Sequence, residues 1–164
     1  NRTAADLLNN LSLQALESTL WEFGEERWAK RIAKAIFQKR EKKPIETTQE
    51  LRGIVHRAIP RRFHSWKIDP ATRTFQALRI LVNEELENLR RVLETGWTFL
   101  KRGGRMCVIS FHSLEDRRVK ETFRRLDKDG VMRGVTKKPI TPSEEERRRN
   151  PRSRSAKLRC AERV

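Results

Sequence analysis

A nearly continuous apolar run, Met106-Cys107-Val108-Ile109-Ser110-Phe111, sits between the turn signal Gly103-Gly104 and the polar pair His112-Ser113. A run this short, rich in β-branched residues and bounded by turns, reads as a strand buried on both faces. Such a strand needs partners in a sheet and helices above and below it. Only two weaker strands are on offer. One is 131–136, after the turn Asp127-Lys128-Asp129-Gly130, and the other is 155–164. In the second, Ala156, Leu158 and Cys160 fall on one face and Lys157 and Arg159 on the other, so one side meets solvent or a ligand. The segment 84–126 is therefore expected to be the helix–strand–helix part of a doubly wound sheet whose first half is absent. With Asn at position 1, this predicts a fragment.

Upstream, the spacing is helical. Ser12 is a candidate N-cap for a short helix with Leu13, Leu16 and Leu20 on one face, and Gly24 suits its C-cap. From 25 to about 40, Trp28, Ile32 and Ile36 recur four apart, flanked by Ala29, Ala33 and Phe37, with Lys30, Arg31 and Lys34 on the far face. Lys42-Lys43-Pro44 breaks that helix. Thr47 and Glu50 form a capping box for the next, which carries Leu51, Ile54, Val55 and Ile59 and ends at Pro60. Residues 61–67 have no stripe and read as a basic loop. Asp69-Pro70 then places Asp at N-cap and Pro at N1 of a helix whose ladder runs unbroken through Phe75, Leu78, Val82, Leu86, Leu89 and Leu93. Ser113 and Asp116 make a second box-like start, with Val119, Phe123 and Leu126 as the buried side. Thr141-Pro142-Ser143-Glu144 opens a short acidic helix favoured by its own dipole.

The apolar fraction is 36% and the charged fraction 37%, against about a quarter charged in an average domain. Thirty-eight Lys and Arg oppose 22 Asp and Glu, giving +16, of which +5 falls in residues 1–95 and +11 in 96–164. No apolar run reaches the ~20 residues of a membrane span, and two cysteines make neither a disulfide framework nor a four-ligand zinc site. A secreted mini-protein, a membrane protein and an acidic solvating chain are excluded. The expectation is a soluble, cytoplasmic protein with a polyanionic partner and no metal. The glycines at 24, 53, 96, 103, 104, 130 and 134 form no G-x-G-x-x-G or P-loop, and G-x-S-x-G and H-E-x-x-H do not occur.

Three groups of residues carry possible chemistry. Ser110 to Asp116 lies at the C-terminal end of the expected strand, the edge where open α/β sheets gather ligands. There His112 is a candidate acid or base, and Glu115 or Asp116 a hydrogen-bond acceptor for an amine; alternatively Ser113 and Asp116 only cap the helix and His112 bonds to backbone. At the start of the 70s helix, Arg73 and Arg79 stand near Gln76, and Arg in a first turn opposes the dipole and calls for an anionic partner. Gln76 either reads a base edge or caps a neighbour. The densest basic run, 147–159, leads into a strand, so Arg152, Arg154 and Lys157 are held in place to meet phosphates of RNA or DNA. His56 and His64 have no ligand spacing and read as incidental.

Ordered blocks then point to a family. Glu25-Glu26-Arg27, Lys43-Pro44-Ile45-Glu46-Thr47-Thr48, Arg57-Ala58-Ile59-Pro60-Arg61-Arg62 and Pro70-Ala71-Thr72-Arg73-Thr74-Phe75-Gln76-Ala77-Leu78-Arg79-Ile80 follow one another. Ile109-Ser110-Phe111-His112-Ser113-Leu114-Glu115-Asp116, Lys137-Lys138-Pro139-Ile140-Thr141-Pro142-Ser143-Glu144-Glu145 and Asn150-Pro151-Arg152-Ser153-Arg154-Ser155-Ala156-Lys157-Leu158-Arg159 complete the series. The chain resembles the RsmH (MraW) family over nearly its whole length.

The resemblance implies an S-adenosylmethionine-dependent methyltransferase acting on the N4 amine of a cytidine in 16S rRNA, with the small ribosomal subunit as partner. It implies a helical inserted domain over 1–75 and the C-terminal portion of a Rossmann-like class I sheet over 76–164. The family's glycine-containing cofactor loop matches nothing here, so the cofactor site is expected mostly upstream, no cofactor-binding residue is carried over, and the fragment alone is expected to be inactive. In this topology 106–111 is the fifth strand, 131–136 the sixth, and 155–163 the antiparallel seventh between them. Cys107 and Cys160 are then neighbours, both inside and both reduced. His112, Ser113, Glu115 and Asp116 become substrate-pocket candidates. Arg73, Gln76, Arg79, Arg152, Arg154 and Lys157 become the candidates for RNA. The rival expectation is a non-catalytic basic module bound to RNA or the ribosome.

Overall fold

The computed structural model describes residues 2–66 and 68–164; Lys67, the last residue of the expected basic loop, lies outside them. The chain divides into two compact units, Asn1–Glu85 and Leu86–Val164.

The first unit is all helical: α1 Ala4–Asn10, α2 Leu13–Gly24, α3 Ala29–Arg40, α4 Thr48–Ala58 and α5 Thr72–Val82, with a 3₁₀ turn at Arg61–Phe63. Helix α1 has a full capping box, in which Thr3 Oγ1 accepts from the Asp6 amide at 3.1 Å and Asp6 Oδ2 from the Thr3 amide at 2.8 Å. Ser12 and Thr47 cap α2 and α4 as expected, the latter with Glu50 reaching back to its amide at 3.1 Å. The apolar stripes converge, so Leu16, Leu20, Ile32, Ile36, Val55 and Leu78 are almost fully enclosed. Each such side chain stabilises the fold by roughly 1.5–3 kcal/mol relative to exposure. Helix α2 ends when Glu25 turns left-handed, φ 47°. Gly24, just before it, sits where a Cβ would lie 2.8 Å from the Arg73 carbonyl oxygen, so α2 and α5 meet at a contact only glycine permits.

Residues 76–82, expected to open the second domain, pack in the helical unit because α5 lies along α2. The long helix read through Leu93 is also two helices. Helix α5 closes at Asn83, Glu84 takes φ 50°, and α6 runs Glu85–Thr95. Its start differs too: Ala71 is the N-cap, while Asp69 accepts from the Ala71 amide at 2.8 Å in the turn before it.

In the second unit, β1 Arg105–Ser110, α7 Ser113–Lys128, β2 Met132–Gly134, α8 Glu144–Arg149 and β3 Lys157–Arg163 follow in order. Strand β3 lies between β1 and β2, antiparallel to both. Leu93, Val119, Phe123, Leu126, Met132 and Ala161 form the core, with Met106 and Val108 of β1 packed on it. The expected burial of β1 on both faces is not found: Cys107 is exposed and Ile109 is 55% exposed. Strand β1 is an edge among the described strands, and one of its faces carries no covering element of this unit. Cys107 stands directly opposite Cys160, with Sγ atoms 2.8 Å apart as free thiols. Only Cys160, on the central strand, is buried, which corrects the expectation that both are inside.

Candidate functional site

The loop after β1 is fixed by a reciprocal cap one residue out of the expected register. His112, not Ser113, is the N-cap of α7. Its backbone is extended, φ −141°, and its Nδ1 accepts from the Glu115 amide at 3.4 Å. Glu115 Oε2 in turn accepts from the amides of Phe111 at 2.8 Å and His112 at 3.3 Å. Ser113 becomes the first helical residue. Burial opposes ionisation of Glu115, but the His112 ring beside it and the hydrogen bonds from the Phe111 and His112 amides prevail, holding its carboxyl below the ordinary value. With Nδ1 acting as acceptor, neutral His112 carries its proton on Nε2. That nitrogen is buried. It lies 3.4 Å from Glu115 Oε1, yet the geometry makes no hydrogen bond, and it has no partner among the described residues.

Asp116 faces β3. Its carboxylate accepts from Arg159 Nε at 2.7 Å, Arg159 Nη2 at 3.3 Å and Lys157 Nζ at 3.2 Å. Asp116 and Arg159 side chains are 12% and 11% exposed. The Arg159 hydrogen bond, against the pull of burial and helped by Lys157, keeps the acid below its ordinary value. Asp116 is thus a fixed anion that orients the basic strand, and the ammonium of Lys157, expected to be free for phosphate, already holds a carboxylate. Arg159, Asp116's main partner, was not singled out in the sequence beyond its place in the basic run.

Arg152 and Arg154 project from a 3₁₀ turn, Pro151–Ser155, locked from within: Asn150 Oδ1 accepts from the Arg152 amide at 3.2 Å, and buried Ser153 donates its hydroxyl to the Asn150 carbonyl at 2.8 Å. Both guanidinium groups are exposed and have no side-chain partner among the described residues. The basic candidates of the helical unit are tied instead. Arg73 Nη1 donates at 2.6 Å to the Glu25 carbonyl, which closes α2, so the anionic partner expected for Arg73 is a helix C-terminus. Gln76 Nε2 donates to the Phe23 carbonyl at 3.1 Å, and Arg79 forks onto Glu85 at 2.8 and 3.1 Å.

The helical unit also holds a cleft of about 270 Å³ that sequence reasoning missed. Glu26, Arg27, Trp28, Phe63, Ile68 and Arg73 line it. Trp28 and Phe63 rings lie 5.1 Å apart, and the Arg27 guanidinium covers both, at 5.5 and 4.9 Å. Arg62 lies 4.9 Å from the Phe63 ring. In the sequence Trp28 reads as part of the α3 stripe; the signal for the cleft is an Arg beside an aromatic in two basic segments, Arg27-Trp28 and Arg62-Phe63. Nearby, Asp69 binds Arg52 Nε at 2.7 Å and His56 Nε2 at 3.0 Å, so His56 has a partner after all.

At the C-terminal end of β1 the chain runs straight into Phe111 and His112 with no glycine turn to cradle a nucleoside-bearing methyl donor. The residues at that edge do not fit the group, and none of them is assigned to it.

The sequence profile of the MraW methylase family matches residues 1–164. The chain belongs to the MraW methylase family. It is 50% identical over 177 residues to the ribosomal RNA small subunit methyltransferase H of Trichlorobacter lovleyi, covering 99% of this chain and 56% of that protein. The proteins of the same name from Geotalea uraniireducens and Persephonella marina are 48% and 49% identical over 178 and 163 residues, again covering 99% of this chain and 57% and 56% of theirs. The chain thus spans a little over half the length of these relatives. The family fold is the Rossmann-like class I methyltransferase, whose antiparallel strand pairing β3 reproduces. No helix among the described residues is long and apolar enough to cross a membrane.

Proposed function

We propose that the protein carrying this chain transfers a methyl group from S-adenosylmethionine to the N4 amine of a cytidine in small-subunit ribosomal RNA, in the cytoplasm. The family match over residues 1–164 carries this reading. In it, residues 1–85 are the helical inserted domain and 86–164 the end of the catalytic domain. A cytosine amine is a poor nucleophile because its lone pair is delocalised into the ring, so the rate rests on alignment and on control of the amine protons. His112 supports such alignment: its Nε2–H lies 3.4 Å from Glu115 Oε1 without completing a hydrogen bond, and the Glu115 cap fixes the ring. It donates to a ring acceptor of the extruded base, while Arg152 and Arg154 hold flanking phosphates. Ser113, Glu115 and Asp116 shape the loop rather than touch the base.

The test is His112→Asn in the whole protein. Asn remains a good helix cap but loses the Nε2 donor. Methyl transfer should fall about a hundredfold, the size of a lost aligned donor, with RNA affinity and thermal stability kept. Unchanged turnover would remove His112 from the site.

A further inference from the structure

The cleft at Trp28 and Phe63 contains a carboxylate in an unusual position. Glu26 is 4% exposed. Its Oε1 accepts from the Trp28 amide at 2.9 Å, whereas Oε2 has neither a hydrogen bond nor an ion pair among the described residues, although Arg27 and Arg73 also line the cleft. That oxygen is an acceptor open to the cleft on a side chain otherwise enclosed, so a ligand that brings an N–H to it meets a fixed carboxylate. Around it stand a 40% exposed Phe63, the Trp28 ring, and the exposed cations Arg27 and Arg62. The set combines an aromatic wall of two rings tilted 48° to each other, a fixed hydrogen-bond acceptor and a rim of positive charge. A nucleotide matches all three: ring, donor edge and phosphate.

Size narrows the occupant. At about 270 Å³ the cleft lies just below the roughly 300 Å³ at which drug-sized ligand pockets begin, so it suits one base and not a stacked pair. Both faces of a paired base are covered by its neighbours, so only an unpaired one can lie against an aromatic wall. The acceptor selects among bases. Cytosine and adenine present an exocyclic amine, guanine an amine and an imino N–H, while uracil offers carbonyl oxygens on either side of a single N–H. Repulsion between a uracil carbonyl and Glu26 disfavours that base.

We infer that this cleft binds one unpaired nucleotide of the RNA, with its base against Phe63 and Trp28, an amine on Glu26 Oε2 and its phosphate beside Arg27 and Arg62; the inference rests on RNA being the protein's substrate. The site discriminates amine-bearing bases from uracil and so acts in selecting the RNA.

The experiment is fluorescence anisotropy of the chain with short single-stranded RNAs made only of cytidine, adenosine or uridine, for wild type, Phe63→Ala and Glu26→Gln. Wild type should hold the cytidine and adenosine strands more tightly than the uridine strand. Phe63→Ala should weaken the cytidine and adenosine strands about five- to a hundredfold, the range of one lost base–aromatic stack. Glu26→Gln keeps the volume and the acceptor for the Trp28 amide but turns the free oxygen into a donor, so the preference for cytidine over uridine should vanish or reverse at unchanged melting temperature. Salt-dependent binding of all three strands that neither substitution alters would overturn the nucleotide site alone. No binding of any strand by wild type would overturn the RNA reading and the site together.

Discussion

Replacing Asp116 with Ala should destabilise the second unit by about 3 kcal/mol. The carboxylate holds Arg159 through two hydrogen bonds, at 2.7 and 3.3 Å, and Lys157 at 3.2 Å. Removing one partner of a buried pair costs roughly 3–5 kcal/mol, because the other charge stays behind without compensation. Arg159, 11% exposed, is so trapped, while Lys157, 40% exposed, swings into water and relieves part of the penalty. The lower end of the range follows. Asp116→Asn keeps the shape but replaces charge-assisted bonds with neutral ones, for a loss of about 1–2 kcal/mol. The pair Asp116→Ala with Arg159→Ala should show coupling of about 2 kcal/mol. Urea unfolding, with hydrogen exchange at the β3 amides as the local readout, measures all three. The lowered Asp116 value adds a pH signature. Its contribution is full above the ordinary acid value of 3.8 and is lost as pH falls through the lower folded value, so the wild-type advantage over Asp116→Asn shrinks on acidification. A loss within about 0.5 kcal/mol, typical of surface sites, would show that water screens the pair and would refute the account of β3 as an oriented strand.

Other outcomes follow from single contacts. Asp69, drawn down to about 2 by bonds from the Ala71 amide, His56 and Arg52 that outweigh its burial, contributes stability that is full above pH 3.8 and fades as pH falls towards 2; Asp69→Asn should remove that part of the acid unfolding curve. Arg152→Ala with Arg154→Ala should flatten the log–log salt dependence of RNA binding by about 1.4–1.8, at 0.7–0.9 per lost phosphate contact, and an unchanged slope would leave both side chains to solvent. Alkylation followed by peptide mass mapping should label exposed Cys107 before Cys160, whose thiol is pushed up to about 11 by burial and by its bond with Cys107. Labelling of Cys160 first would contradict the edge position of β1.

The parts legible in the sequence were those set by local chemistry. Ser12 and Thr47 cap where their spacing says, the short acidic helix opens at Glu144, and the alternation after Ala156 produces β3. The break between α5 and α6 was not legible, because neither Asn83 nor Glu84 is a breaker and the ladder of Val82 and Leu86 continues across it; only the left-handed backbone at Glu84 marks it. The cap of α7 slipped by one residue because two overlapping patterns compete, and His112, an uncommon cap, wins through Glu115. An apolar run reports that a strand wants cover, not that this unit supplies it, which is why Ile109 stands exposed. At the candidate site, the residue types around His112 were visible, but the ion pairing of Asp116 joins positions 41 and 43 residues apart and no periodicity encodes it. The cleft at Trp28 and Phe63 likewise joins two helices' ends that the sequence separates.

The most direct test of the central claim is where the methyl group lands. The protein carrying this chain, given S-adenosylmethionine labelled in its methyl group and unmethylated small ribosomal subunits, should place the label in small-subunit RNA. Nucleoside digestion and mass spectrometry should then recover it as N4-methylcytidine. Label on a cytosine ring carbon, on another base or in large-subunit RNA, or no transfer at all, would contradict the account.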